Sequence, residues 1–226
     1  MLKAVIMDFD GVIVDTEVIW FDIYKEWFKI NLHYDLTMEE FLVCVGADSD
    51  KLFKKLEKDY NIIIDNKQFV AETTQKFLDE SKELPLKEGV FEFIQSIKKE
   101  NILLALATSA SRKKPIYHLT RLNILQYFDE IVTSEDVDKI KPNPDLFNKA
   151  IEKLGVKKEE AVIIEDSVNG LIAGNRAGIR TVVCTNDITK HSNFTNYFIK
   201  IDSLIKIDFN KIIKNFNGSS DRYVTR

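Results

Sequence analysis

The chain has 226 residues, which suits one domain with an insertion or two small domains. Its 32 basic and 36 acidic residues give a net charge of −4, and this weak acidity argues against nucleic acid as the main partner. The two cysteines, Cys44 and Cys184, form no metal-spaced pair, which excludes a disulfide scaffold and a zinc module. The apolar runs are far shorter than the ~20 residues that span a bilayer, so we expect a cytoplasmic protein with no membrane partner.

Short apolar runs alternate with amphipathic stretches along most of the chain. Runs that are apolar throughout are typical of strands buried on both faces of a parallel sheet. The predicted strands span residues 3–7, 102–107, 130–133, 161–164 and 181–184. The clearest predicted helices between them span residues 90–99, 145–154 and 168–177. This alternation predicts an α/β fold with a doubly wound, Rossmann-like parallel sheet.

One long segment, residues 16–84, interrupts the alternation. Its predicted helices span residues 18–30, 38–45, 51–60 and 67–82, and only the short run 62–64 looks like a strand. We therefore predict a helical domain inserted after the first strand, and an α/β core formed by residues 1–15 and 85–208. Residues 209–226 would add a helix at about 209–216, ended by Asn217-Gly218-Ser219-Ser220, and then a disordered tail.

Two pairs of acidic residues stand where predicted strands end, at the edge of a parallel sheet where ligands bind. Asp8 and Asp10 follow the first strand, and residues two apart on an extended chain point the same way. Glu165 and Asp166 follow a later strand that could end beside the first. Such carboxylates can act as nucleophile and general acid, or can bind Mg²⁺. The alternatives are a chance acidic turn and a helix N-cap at Asp166 or Ser167.

A hydroxyl-rich segment follows the strand at 102–107. Ser109 and its neighbours could present a hydroxyl and backbone N–H groups to a phosphate, although helix N-capping explains the segment as well. Arg112, Lys113 and Lys114 come next. They either attract anionic substrates at the rim of a cleft or form a solvated first helical turn.

A lysine is expected near the carboxylates because of their charge. At ~4 Å and an effective dielectric of ~20, each pair of like unit charges repels by about 4 kcal/mol. Two aspartates and a phosphate dianion therefore need a divalent cation and a lysine in the same pocket. Lys141 is the candidate because Pro142 restrains it to an extended conformation, and Lys139 is its competitor.

These motifs, in this order, resemble the four-motif signature of the haloacid dehalogenase superfamily over about residues 2–204. The four are Asp8-Phe9-Asp10-Gly11-Val12, Thr108-Ser109, Lys141-Pro142 and Glu165-Asp166. The stretch from Ile164 to Gly170 further resembles the β-phosphoglucomutase-like phosphatase branch. The resemblance implies a phosphoric monoester hydrolase that acts on a small phosphorylated metabolite, such as a sugar phosphate, with Mg²⁺ as cofactor.

The resemblance also implies a role for each motif residue. Asp8 would be the nucleophile and form an aspartyl-phosphate, and Asp10 would be the general acid and then the general base. Ser109 and Lys141 would bind the phosphoryl group and balance its charge.

The metal ligands and the cap follow from the same resemblance. The Asp8 carboxylate, the Asp10 backbone carbonyl and Asp166 would hold Mg²⁺, and Glu165 would support it through water. Residues 16–84 would form a cap that closes over the substrate and excludes water. The candidate cap residues for substrate contact are Trp20, Gly46, Ala47 and Asp48.

The sequence departs from the β-phosphoglucomutases at two cap positions. Trp20 stands where they carry a histidine, and the loop at residues 46–49 lacks the arginine that grips a second phosphate. Hydrolysis is therefore favoured. The alternatives are a phosphosugar mutase and a catalytically idle protein that binds a metabolite. A monomer is compatible with the sequence.

Overall fold

The structure, a computed structural model, describes residues 1–218. Its strands are β1 (Ala4–Met7), β2 (Leu103–Ala107), β3 (Glu130–Val132), β4 (Ala161–Glu165), β5 (Arg180–Cys184) and β6 (Ile199–Ile201). They form one sheet in the order β3-β2-β1-β4-β5-β6, and all neighbouring strands are parallel. The predicted doubly wound α/β fold is confirmed, and β6 is an addition to the predicted strands.

The α-helices lie between and after these strands. They are α1 (Glu17–Leu32), α2 (Met38–Phe41), α3 (Asp50–Tyr60), α4 (Asn66–Ser81), α5 (Val90–Lys99), α6 (Lys113–Arg121), α7 (Asp145–Leu154), α8 (Val168–Ala177) and α9 (Phe209–Gly218). The predicted tail beyond α9 lies outside the described residues. Within residues 1–218, no helix has the length and apolar composition that crossing a bilayer demands.

The sheet is buried on both faces, and β1 shows how the sequence achieves this. Val5 and Met7 belong to a cluster with apolar residues of α5, α6 and α9, whereas Ala4 and Ile6 belong to another with residues of α7 and α8. Successive side chains on a strand point to opposite faces, so a run that is apolar throughout fits this sandwich.

The inserted helices α1 to α4 have their own apolar cluster. Its fully buried members include the aromatic side chains Phe28, Phe41 and Phe69, and Trp20 and Tyr24 pack against it. The aromatic face of α1 therefore serves mainly in packing. The prediction for 38–45 was too long, since α2 ends at Phe41. The predicted strand at residues 62–64 was wrong, because these residues form an irregular connection between α3 and α4.

The register of the sheet decides where the polar residues meet. Met7, the last residue of β1, is aligned with Leu106 in β2 and with Ile164 in β4. Residues just beyond these positions therefore lie side by side at the carboxyl edge of the sheet. They include Asp8, Thr108 and Glu165, each from a segment that the sequence singled out.

Candidate active site

Asp8 and Asp10 leave the end of β1 in different environments. The Asp8 side chain is buried, and its backbone N–H donates to the carbonyl of Ile164 in β4 at 3.0 Å. Asp10 is half-buried. Gly11 has φ of +73°, and a Cβ added there would lie 2.0 Å from Oδ2 of Asp166. Glycine is thus required both by the backbone conformation and by the close approach of Asp166.

Lys141 lies inside the carboxylate cluster. Its Nζ donates to Oδ1 of Asp8 at 2.6 Å and to Oε1 of Glu165 at 2.8 Å, and its side chain is 0% exposed. Burial alone would lower the pKa of Lys141, but the charges of Asp8 and Glu165 outweigh burial and raise it above its usual value. Lys139 is exposed. The structure therefore brings Lys141, and not Lys139, to the cluster.

Glu165 is the last residue of β4, and hydrogen bonds use both of its carboxylate oxygens. Oε1 accepts from Lys141, and Oε2 accepts from the backbone N–H groups of Asp166 and Ser167 and from the Ser167 hydroxyl, at 2.8–2.9 Å. The Ser167 hydroxyl accepts from the N–H of Gly170 and caps α8. The N-cap alternative is therefore correct for Ser167, and Glu165 connects Lys141 to the start of α8.

Asp8, Glu165 and Asp166 fit a divalent metal ion. One carboxylate oxygen from each residue lies within 4.8 Å of the others, and all three residues are buried. Burial and the nearby acidic charges raise the pKa of Asp166 well above its usual value. Burial also raises the pKa of Asp8 to about 7, even with Lys141 beside it. The three carboxylates carry more negative charge than Lys141 alone can balance. Such a set of oxygen donors suits Mg²⁺.

Asp10 has partners of its own outside this carboxylate cluster. Its Oδ1 accepts from the Thr16 hydroxyl and from Nζ of Lys114, the latter at 2.6 Å. The side chains of Asp10 and Lys114 are 17% and 15% exposed. Asp10 can therefore exchange protons with a bound molecule while Asp8 stays at the floor of the site.

A pocket of about 390 Å³ opens over Asp8 and Asp10, between the sheet edge and the inserted helices. Its lining includes Ser109 from the core and all the predicted cap candidates, Trp20, Gly46, Ala47 and Asp48. Lys141, Glu165 and Asp166 lie buried beside Asp8. Residues distant in the sequence thus converge on one pocket, and their roles remain predictions.

The loop at residues 45–49 of the inserted segment touches the segment that follows β2 directly. The Ser109 hydroxyl donates to the carbonyl of Gly46 at 3.2 Å. Gly46 has φ of +74°, and a Cβ there would lie 2.1 Å from the Ser167 hydroxyl oxygen. Asn169 of α8 donates to the carbonyl of Val45 at 2.7 Å. The loop is therefore closed onto the core in this structure.

Sequence reasoning missed three residues of the site. Glu17 lines the pocket although it is buried, and burial with the charge of Asp10 raises its pKa to about 8. Asn186 donates to Oδ2 of Asp166 at 2.7 Å. Its position two residues after β5, at the same sheet edge as the acidic residues, could have indicated that Asn186 belongs to the site. Glu17 lies three residues before Trp20 on the same face of α1, and this spacing could have indicated it. Lys114 belongs to a basic run, and the sequence does not distinguish it from its neighbours.

Comparisons with known proteins agree with this geometry. The family of haloacid dehalogenase-like hydrolases matches residues 5–184. The Phosphorylated carbohydrates phosphatase of Thermotoga maritima is 33% identical over 184 residues, which are 80% of this chain and 84% of that protein. Pyrophosphatase PpaX of Halalkalibacterium halodurans is 26% identical over 184 residues, which are 80% of this chain and 83% of that protein.

A solved structure extends the similarity to most of the fold. CbbY from Rhodobacter sphaeroides, in complex with phosphate, has a TM-score of 0.73 and 26% identity, and the match covers 91% of this chain and 96% of that one. The resemblance inferred from the four motifs is confirmed: the chain belongs to the haloacid dehalogenase-like hydrolase family.

Proposed function

We propose that this hydrolase is a Mg²⁺-dependent phosphatase acting on the monophosphate ester of a small hydroxylated metabolite, such as a sugar. The observation that carries the proposal is the buried Asp8 carboxylate, held by Lys141 at the floor of a pocket with Asp10 beside it. In this proposal residues 16–84 are the cap domain, residues 1–15 and 85–208 are the core, and the protein is cytoplasmic.

The proposed reaction has two steps. An Asp8 oxygen forms a bond to phosphorus while the bond from phosphorus to the ester oxygen breaks, and Asp10 gives its proton to the leaving oxygen. Water then attacks the aspartyl-phosphate, Asp10 takes its proton, and the bond to Asp8 breaks to release phosphate. Lys141 balances negative charge in both steps, and the Ser109 hydroxyl binds the phosphoryl oxygens.

The Asp8 and Asp166 carboxylates, with the Asp10 backbone carbonyl, would hold Mg²⁺. Hydrogen bonds use one oxygen of Asp8 and one of Asp166, but both oxygens of Glu165, which supports a ligand role for the aspartates. When bound, the ion would neutralise part of the negative charge that gathers at the phosphoryl group. Glu165 would support the ion through water.

The pocket lining supports an uncharged leaving group. Trp20 stacks on Phe77 with ring centroids 3.9 Å apart and an interplanar angle of 4°, so the cap presents aromatic surface to the pocket. Glu17, with its pKa raised to about 8, holds a proton at neutral pH and can donate it in a hydrogen bond to a hydroxyl. Asp48 adds a second acid. A second phosphate would meet the carboxylate of Asp48, which favours a monophosphate over the bisphosphate that a mutase requires.

The test is phosphate release with Mg²⁺ from a panel that includes sugar monophosphates, a sugar bisphosphate and pyrophosphate. We expect the best rates with monophosphates of hydroxylated compounds, and no release by Asp8→Asn. Conversion of a sugar phosphate to its isomer without free phosphate would indicate the mutase instead. Failure to release phosphate from any compound would indicate a binding protein, and a clear preference for pyrophosphate would contradict the proposed leaving group.

A further inference from the structure

The basic run at the start of α6 divides into three different environments. Arg112 pairs with Asp136, which follows β3, at 2.5 Å. Lys113 is exposed. Lys114 alone of the three lines the pocket. Of the two sequence-based alternatives for the run, the solvated helical turn describes Lys113, whereas Lys114 lies in the pocket with 15% of its side chain exposed.

Lys114 is held in place by both parts of the molecule. Its Nζ lies 2.6 Å from Oδ1 of Asp10 in the core, and 4.5 Å from the ring centroid of Phe77 in α4. The rings of Phe9 and Trp20 lie at 5.9 and 6.0 Å. An ammonium beside aromatic faces is attracted to them electrostatically. The charge of Lys114 is thereby fixed beside the proposed general acid.

Within residues 1–218, Lys114 is the one lysine or arginine of the pocket lining, and therefore the candidate cation for contact with the leaving group. The acidic side chains of the described lining are Asp8, Asp10, Glu17 and Asp48. Lys141 is enclosed below them, with its ammonium on Asp8 and Glu165. An ammonium has three donor hydrogens, so Lys114 can bind Asp10 and still donate to a bound molecule.

We propose that Lys114 determines specificity by donating a hydrogen bond to a hydroxyl on the carbon next to the phosphate ester. This inference rests on the proposed phosphatase function. In the proposed reaction Asp10 protonates the ester oxygen, so this oxygen lies beside Asp10. The Lys114 ammonium is bonded to Asp10, and it therefore lies near the substituents of the carbon that carries the ester oxygen. A carboxylate or second phosphate there would also meet the carboxylate of Asp48, whereas a neutral hydroxyl meets no repulsion. The substrate is then a phosphorylated vicinal diol, which includes sugar and polyol phosphates.

Three synthetic esters with equal carbon number test this directly. They are propyl phosphate, propane-1,2-diol 1-phosphate and propane-1,3-diol 1-phosphate, and only the second has the vicinal hydroxyl. With Mg²⁺, we expect kcat/KM of the wild type to be about 10- to 100-fold higher for the 1,2-diol ester, the effect of one hydrogen bond to a charged donor. Because this arm uses the wild type, it does not depend on any variant folding.

The variants Lys114→Met and Lys113→Met provide a matched pair on the same helix. Loss of the charge beside Asp10 would slow all three esters by a common factor, so the decisive quantity is the ratio of kcat/KM between the 1,2-diol ester and propyl phosphate. We expect Lys114→Met to reduce this ratio to about one, and Lys113→Met to leave it unchanged within about twofold.

Three outcomes would overturn the inference: no wild-type preference for the 1,2-diol ester, an unchanged ratio in Lys114→Met, or no turnover of the 1,2-diol ester at all. Phosphate release from p-nitrophenyl phosphate separates this failure from failure of the proposed function. Activity on that ester without a preference for the diol removes only the role of Lys114. Inactivity on every ester removes the phosphatase proposal itself.

Discussion

Lys141→Met gives the sharpest test of the site, because the change removes a charge and nearly keeps the volume. Lys141 is 0% exposed and is bonded to Asp8 at 2.6 Å and Glu165 at 2.8 Å. The variant leaves two buried carboxylates without their cation. Breaking a buried ion pair from one side costs about 3–5 kcal/mol, so we expect the free energy of unfolding to fall by that amount. The control, Lys139→Met, changes an exposed side chain and should stay within about 0.5 kcal/mol of the wild type.

The assay is urea unfolding followed by circular dichroism, with EDTA present so that no metal ion substitutes for the lysine. The pH dependence of the stability difference tests whether the lost charge is its cause. The pKa of Asp8 is about 7 with Lys141 beside it, and removing the cation raises that pKa further. The folded variant then takes up a proton at higher pH than the wild type, and this uptake relieves its buried charge. The difference in stability between the two should therefore shrink from pH 9 to pH 6.

Activity gives a second measurement of the same change. One lost charge interaction of about 4 kcal/mol, felt mainly in the transition state, lowers kcat/KM by nearly a thousandfold. The reasoning is refuted if Lys141→Met and Lys139→Met lose equal stability, or if the difference widens from pH 9 to pH 6. A larger loss of activity at Lys139 would show that the lysine motif is misplaced.

Three further predictions concern the metal, the turn and a buried histidine. Excess EDTA should abolish phosphate release and added Mg²⁺ should restore it, so full activity in EDTA would remove the metal assignment. Gly11→Ala should lower kcat/KM at least tenfold, because its Cβ would lie 2.0 Å from Asp166; kinetics as good as those of the wild type would contradict the close approach. Burial, with the charges of Arg121 and Lys114, lowers the pKa of His118 to about 4. At this residue the unfolded chain binds a proton first as the pH falls, so the contribution of His118 to stability should drop by about 1–3 kcal/mol from pH 7 to pH 4.5. In His118→Phe this part of the drop should be absent in the same unfolding assay.

The residues at the ends of central strands were predictable because two simple rules apply to them. Strands buried on both faces are apolar throughout, and ligands gather beyond their carboxyl ends. Asp8, Asp10 and Asp166 stand out against such runs, and the need for a countercharge indicated Lys141. The rules failed for β6, whose middle residue, Lys200, is exposed at the edge of the sheet. Three residues with a polar centre carry too little pattern to indicate a strand.

The cap side of the pocket was less predictable, because tertiary contacts decide it. Nothing local distinguishes Lys114 from Lys113; its position depends on Phe77, which another helix brings to it. Glu17 follows the pattern of an ordinary acidic first turn. The apolar run 62–64 suggested a strand, but among the described residues it pairs with no strand of the sheet, and the chain there joins α3 to α4.

The strand order has a consequence for how the protein acquires activity during synthesis. β1 lies between β2 and β4, and its Asp8 depends on Lys141, which precedes β4, and on Glu165, at the end of β4. A growing chain presents β1 first but cannot pair its second edge until β4 has left the ribosome. Long-range parallel pairing of this kind forms late in folding. A chain that stops before β4 therefore has Asp8 without Glu165 and Asp166, so under the proposed mechanism such a fragment would not hydrolyse phosphate esters.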